Sequence, residues 1–274
     1  KPKLLLINAS AFSYCNSNLT DEVYLRKWID NMPMSQNKLD TVKTIPKNIN
    51  NDDEKVKDNI SDTLYFPLEK YHGNWKAPEA VYTSFVTRAY MRLSGGGYLK
   101  GFYSKTGITG GRDNLANIGQ PTKEAYVLTD ECRAYLKELL SYCNKLGIEH
   151  VLLLQPPHET QAADKSGLEQ IESITKEYGY DFLDLSTDYE SIAGIDDSHD
   201  FADFEHLNAY GAKKLTAYIG DMAVNQYGIK SDTAKSELSR WKKSVKRTKK
   251  ALKMAREYTD RGEAQVVGEY EAAK

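Results

Sequence analysis

Three short apolar runs, Leu4-Leu5-Leu6-Ile7, Val151-Leu152-Leu153-Leu154 and Phe182-Leu183-Asp184-Leu185, constrain this chain more than any other feature. The first two carry no polar residue, which is the pattern of parallel strands covered on both faces rather than of half-solvated ones. Stretches of helical period lie between and after them. Thr129-Asp130-Glu131 opens one whose apolar positions are Cys132, Leu136, Leu139, Leu140, Cys143 and Leu146, and Gly147 stands where a C-terminal cap belongs. Leu168, Ile171, Ile174 and Tyr178 mark a second, ending at Gly179, and a third begins at Asn208 with Ala212, Leu215, Ile219 and Met222 on one side. Pro156-Pro157 stops the middle strand. This alternation predicts an α/β protein, a parallel sheet with right-handed crossovers between helical layers.

The remainder is less regular. Thr20-Asp21-Glu22 predicts the start of a helix carrying Val23, Leu25, Trp28 and Ile29. Residues 33–64 are polar and residues 64–120 are rich in aromatics and glycine, so about 33–120 reads as an irregular insertion within a domain spanning 1–230. Residues 231–274 form a separate region. Leu238, Trp241, Val245, Leu252 and Ala255 fall on a helical stripe amid lysines and arginines, a basic amphipathic helix able to rest on an anionic membrane surface or polymer, or to pack on its own domain. Residues from Asp260 onward are expected to fray.

Charge and cysteine content exclude several classes. With 37 basic and 39 acidic side chains among 274 residues the net charge is −2, which gives no footprint for nucleic acid. No run approaches the ~18 apolar residues needed to cross a bilayer. The opening Lys1, followed at once by a strand, reads as a fragment whose upstream anchor or targeting segment has been removed. Cys15, Cys132 and Cys143 are widely spaced, and the last two lie about three turns apart on one predicted helix, too far to bridge. They are expected to be small core residues. Neither they nor the five histidines have zinc-ligand spacing, and the glycine clusters match no nucleotide-binding loop, so no metal and no cofactor is predicted.

Chemistry is concentrated at Asp203-Phe204-Glu205-His206, which runs into Leu207-Asn208-Ala209-Tyr210-Gly211. A carboxylate three residues before a histidine can hold one imidazole tautomer and stabilise its charged form, the base half of a Ser-His-Asp apparatus. The bland alternative is that Asp203 caps the following helix and His206 is a surface residue. Because this segment follows the last strand, it belongs on the side where open parallel sheets bind ligands. Ser10, after the first strand and Asn8-Ala9, is the visible nucleophile; the other reading places the serine upstream of Lys1. His158 either lines the same pocket or is a solvated loop histidine. Tyr71-His72-Gly73-Asn74-Trp75 mixes hydrogen-bonding and stacking groups suited to a sugar, with Trp75 as a core anchor in the alternative.

The block from Asp203 to Asn208, through Gly211, Lys214-Leu215 and Tyr218, resembles the last motif of SGNH (GDSL-type) hydrolases. It is most similar to the extracytoplasmic Gram-positive branch related to the lipoteichoic acid D-alanylation and alginate O-acetylation families. Tyr24-Leu25-Arg26-Lys27, Met34 to Leu39, Phe66-Pro67-Leu68 with His72 and Trp75, and Lys100-Gly101-Phe102 fit the same branch. The resemblance implies a three-layer α/β/α, flavodoxin-like sheet lacking its first two strands and, with them, the serine nucleophile. It gives Asp203 and His206 the triad roles and makes Asn8 the nearest match to an oxyanion-binding asparagine. It further implies a serine esterase or O-acyltransferase acting on acyl esters of a cell-surface polysaccharide, extracytoplasmic and membrane-anchored through a segment absent from this chain, with a membrane-bound acyltransferase as partner. A non-catalytic glycan-binding or assembly protein on the same scaffold is the alternative.

Overall fold

A computed structural model describes residues 1–13, 26, 29–30, 32–44, 64–65, 79, 82, 86, 89, 99, 102–119, 123–230 and 235–268. The chain divides into two compact units, one made of Lys1–Tyr14 with Ala89–Lys274 and one of Cys15–Arg88. In the second, α2 (Gln36–Thr44) accompanies a small core of Ile29, Val42 and Leu64, against which Met32 and Tyr65 pack. Most of the helix expected from Thr20 lies outside the described residues.

The first unit holds the alternating elements. β1 (Leu4–Asn8), β4 (His150–Gln155) and β6 (Asp181–Asp184) form a parallel sheet in the order β1-β4-β6, with Leu5 opposite Val151 and Leu152 opposite Asp181. β4 is the central strand, and residues 151–155 are all buried, as a run apolar on both faces requires. β1 has β4 as its one neighbour among the described residues, and Leu6 is 46% exposed there. Helices connect the strands as the periodicity predicts. α4 (Asp130–Lys145) is capped by the Thr129 side chain accepting from Cys132 N–H, buries Cys132, Leu136, Leu140 and Cys143, and passes into Gly147 at φ +63°. Cys132 and Cys143 are free buried thiols, and burial pushes Cys143 up from its ordinary value. α5 (Ser166–Glu177) buries Leu168, Ile171 and Ile174.

Shorter elements complete the unit. β3 (Lys123–Ala125) pairs in parallel with β5 (Gln161–Asp164), and α1 (Ser10–Ser13), α3 (Arg112–Asn117) and α6 (Tyr189–Ala193) are brief. β7 (Phe201–Asp203) and β8 (His206–Leu207) make a small antiparallel hairpin leading into α7 (Ala209–Asn225). Leu215 and Ile219 of α7 pack on a core of Leu154, Leu185, Tyr189, Ile195 and Phe201.

The tail differs from expectation at its end. After α8 (Lys235–Asp260), residues 261–268 are ordered rather than frayed: β9 (Val266–Val267) pairs antiparallel with β2 (Ser104–Lys105), and Val267 is fully buried, while residues 269–274 lie outside the described residues. The Thr106 hydroxyl accepts from Gln265 N–H at 2.7 Å, and Thr106 N–H donates to the Gln265 carbonyl at 3.0 Å. These bonds, with Ala251 and Ala255 of α8 buried against Leu99, Ala209 and Val267, offset the entropy that would free a terminus.

The Asn208-Ala209-Tyr210-Gly211 motif has a packing explanation. The Asn208 side chain caps α7, accepting from the N–H groups of Tyr210 and Gly211. Gly211 has an ordinary helical backbone, but a Cβ there would lie 2.5 Å from the Asp200 carbonyl oxygen and 2.9 Å from Leu207 Cδ2. Gly211→Ala therefore forces the helix away from the 196–200 loop. It is expected to cost about 1–3 kcal/mol, measured by chemical denaturation, whereas Gly220→Ala, with open space at that position, should not destabilise.

Candidate active site

The Asp203–His206 segment is a hairpin rather than the first turn of a helix. Asp203 and His206 are opposed partners of β7 and β8, which puts their side chains on one face. Asp203 Oδ1 lies 2.7 Å from His206 Nδ1 and also accepts from Glu205 N–H at 3.1 Å. An ionised carboxylate only accepts, so Nδ1 carries the hydrogen and Nε2 is left as the basic nitrogen. The α7 cap is Asn208, so Asp203 has no capping role.

Lys105, which sequence reasoning passed over, completes the cluster. Its Nζ donates to Asp203 Oδ2 at 2.9 Å and lies 3.1 Å from His206 Nδ1. With Nδ1 already donating to Asp203, the second distance is a close approach and not a hydrogen bond. Lys105 reaches the dyad because β2 is held by β9, a pairing between residues about 160 apart that no local pattern announces. Burial opposes ionisation of Asp203, but hydrogen bonds from Lys105, His206 and the Glu205 amide outweigh it and hold the carboxyl below the ordinary carboxylate range.

Beneath the hairpin lies a second carboxyl, also unanticipated. Glu159 is fully buried; its N–H donates to the Phe204 carbonyl at 3.1 Å, and its Oε1 accepts from the Thr109 hydroxyl at 2.6 Å. Burial pushes this carboxyl upward, and the charges of Asp197 and Asp203 add to that, against hydrogen bonds from Thr109 and Gly111.

A cleft of about 670 Å³ opens beside the dyad, at the carboxyl ends of β1 and β4. It brings together Asn8, Ser10, Lys105, His158, Glu205 and His206, with Pro156 and Pro157 also in its lining. Four of the site residues expected from sequence thus share one wall-to-wall space. Ser10 N–H donates to Asn8 Oδ1 at 2.8 Å, a local turn that fixes both residues where β1 ends. The Ser10 hydroxyl lies 3.5 Å from Gln155 Oε1 and has no hydrogen bond to His206 among the described residues. His158 is not a solvated loop residue: it is 5% exposed, with Nδ1 3.1 Å from Glu124 Oε1, and the Tyr126 hydroxyl donates to the same oxygen. His72 and Trp75 lie outside the described residues.

No protein-family model matches this chain, no curated protein matches its sequence, and no solved structure matches its fold.

Two expectations follow from the carboxyls. Lys105→Met removes a contact that favours ionised Asp203, so the Asp203 carboxyl should titrate at higher pH, read by ¹³C NMR of labelled aspartate; an unchanged titration would mean the ammonium does not act on it. The two acids also tilt stability in opposite senses. Asp203, depressed, contributes stability above its unfolded value that is lost as pH falls through the folded one. Glu159, raised, contributes stability below its unfolded value that is lost as pH rises through the folded one. Thermal melts of Glu159→Gln should therefore lose the decline on the alkaline side of the carboxyl range while keeping the acid-side decline.

Proposed function

We propose that this chain carries the acid–base half of an SGNH-type serine esterase or O-acyltransferase acting on acyl esters of a cell-surface glycan. The observation that carries the reading is the 2.7 Å Asp203–His206 pair, whose histidine lines a cleft that Ser10 and Asn8 also line. In this reading His206 Nε2 takes the proton of a seryl hydroxyl as its oxygen attacks the acyl carbon. The resulting imidazolium is stabilised by Asp203, whose second oxygen Lys105 holds in place. His206 then returns the proton to the departing alkoxide, leaving an acyl-serine that water or a sugar hydroxyl resolves by the same proton route. Asn8 offers its amide N–H groups to the oxyanion, since its carbonyl oxygen is already engaged by Ser10 N–H. In this scheme the extracytoplasmic setting, the membrane anchor and the acyltransferase partner are those the motif resemblance implies.

One observation favours a second reading. Ser10 and His206 share the cleft without a hydrogen bond, and the Ser10 hydroxyl faces Gln155, a geometry that also suits a glycan-binding protein on this scaffold. Hydrolysis of p-nitrophenyl acetate and fluorophosphonate labelling with peptide mapping separate the two. With Ser10 as the serine that His206 serves, the esterase reading expects turnover that falls by about 10²–10⁴-fold in His206→Ala and Asp203→Asn. Label on Ser10, abolished by Ser10→Ala, makes Ser10 the nucleophile. Binding of an acetylated glycan without turnover or label would replace the enzyme by the binder.

A further inference from the structure

We propose that the first half of α8 is a docking surface for an anionic lipid bilayer, on which the helix lies flat. Residues 235–250 hold eight basic side chains against the single acidic Glu237, whereas the whole chain has a net charge of −2. The positive charge is thus concentrated on four turns of one helix while the rest of the molecule is acidic.

The two halves of α8 are used differently. Toward its C-terminus, Ala251 and Ala255 are fully buried, and Leu252, Met254 and Tyr258 pack against the same core. Toward its N-terminus, Leu238, Trp241 and Val245 are 42%, 43% and 50% exposed. Their i, i+3, i+7 spacing puts them on one stripe. Next to the stripe a shallow hollow of about 500 Å³ is lined by Leu238 and Ser239 with Lys235, Lys242, Lys243 and Lys246. An exposed apolar row beside a row of lysines satisfies the two demands of a bilayer surface, apolar side chains for the acyl boundary and cations for the headgroups. A soluble polyanion would use the lysines and leave Leu238 and Val245 in water, so the apolar row favours a membrane. Among the described residues no helix is long and apolar enough to cross a membrane. This inference is independent of the esterase reading, because none of these residues lines the Asp203–His206 cleft.

The test is co-sedimentation of the 274-residue chain with vesicles of phosphatidylcholine alone and of phosphatidylcholine with phosphatidylglycerol. Binding is expected to the second and not the first, and to weaken as salt is raised. Combined Lys242→Gln, Lys243→Gln and Lys246→Gln should lower the partition coefficient roughly fivefold per lysine, on the order of 100-fold together. Leu238→Ser and Val245→Ser should each lower it on the order of tenfold at unchanged charge. These positions lie outside the buried face of α8, so thermal unfolding should change little, and the lipid dependence of the unsubstituted chain stands by itself if a variant folds poorly. Three results would overturn the proposal: equal binding to both vesicle types, no binding to either, or binding that soluble polyglutamate competes away and that the serine substitutions leave intact.

Discussion

The side-chain amide of Asn208 is the joint on which the site depends. It is fully buried, and it spends its hydrogen-bonding capacity on three separate pieces of chain. Its Oδ1 accepts from Tyr210 and Gly211 N–H at the start of α7, and its Nδ2 donates to the carbonyls of Gly107 at 3.1 Å and His199 at 2.7 Å. Gly107 lies two residues from Lys105, and Asn208 two residues from His206. One amide therefore fixes the spacing between the strand that delivers the lysine and the hairpin that delivers the histidine. A buried amide with four committed partners resists substitution more than any one of those bonds would, since each loss leaves a desolvated group behind.

Around that joint, the two carboxyls have opposite relations to charge although both lie in low-dielectric surroundings. Asp203 meets a cation, an imidazole N–H and a backbone amide, which together exceed the cost of its burial. Glu159 meets a hydroxyl and one amide, with two further carboxylates nearby, and burial prevails. The outcome is one acid whose partners lower its pKa and one carboxyl whose surroundings raise it.

The framework was legible because it is local. Thr129 as cap, Gly147 and Gly179 as stops, Pro156 after the middle strand and the apolar runs of β1, β4 and β6 each declare themselves within a few residues, and the structure uses them as such. The Asp203–His206 pair was legible for the same reason, although its setting, a hairpin, was not: two bridge pairs with a two-residue turn leave no periodicity to read. Lys105 and Glu159 were invisible. A lysine in an aromatic and glycine-rich stretch reads as solvated, and a glutamate in a proline-rich loop reads as surface; only the long-range pairing of β2 with β9 and the fold of the 155–160 loop under the hairpin turn them inward. Of the residues expected in the site, Asn8, Ser10, His158 and His206 converge on the cleft because Asn8 closes β1, Ser10 and His158 follow β1 and β4, and His206 opens β8 at the same edge.

The pairing of β2 with β9 changes what the tail means. Read as sequence, residues after 230 are a basic helix with a loose end. In the structure the end returns: the Thr259 hydroxyl accepts from Gly107 N–H at 3.3 Å, Gln265 brackets Thr106, and Val266 stands opposite Lys105. Lys105 is thus held by two segments, Asn208 through Gly107 on one side and the strand after α8 on the other. A two-residue strand has too few ladder bonds to persist alone, so the position of the ammonium beside Asp203 depends on α8 staying packed through Ala251 and Ala255. The same helix that turns its lysine-rich first half toward solvent therefore anchors, with its second half, the strand that pairs with the one carrying Lys105.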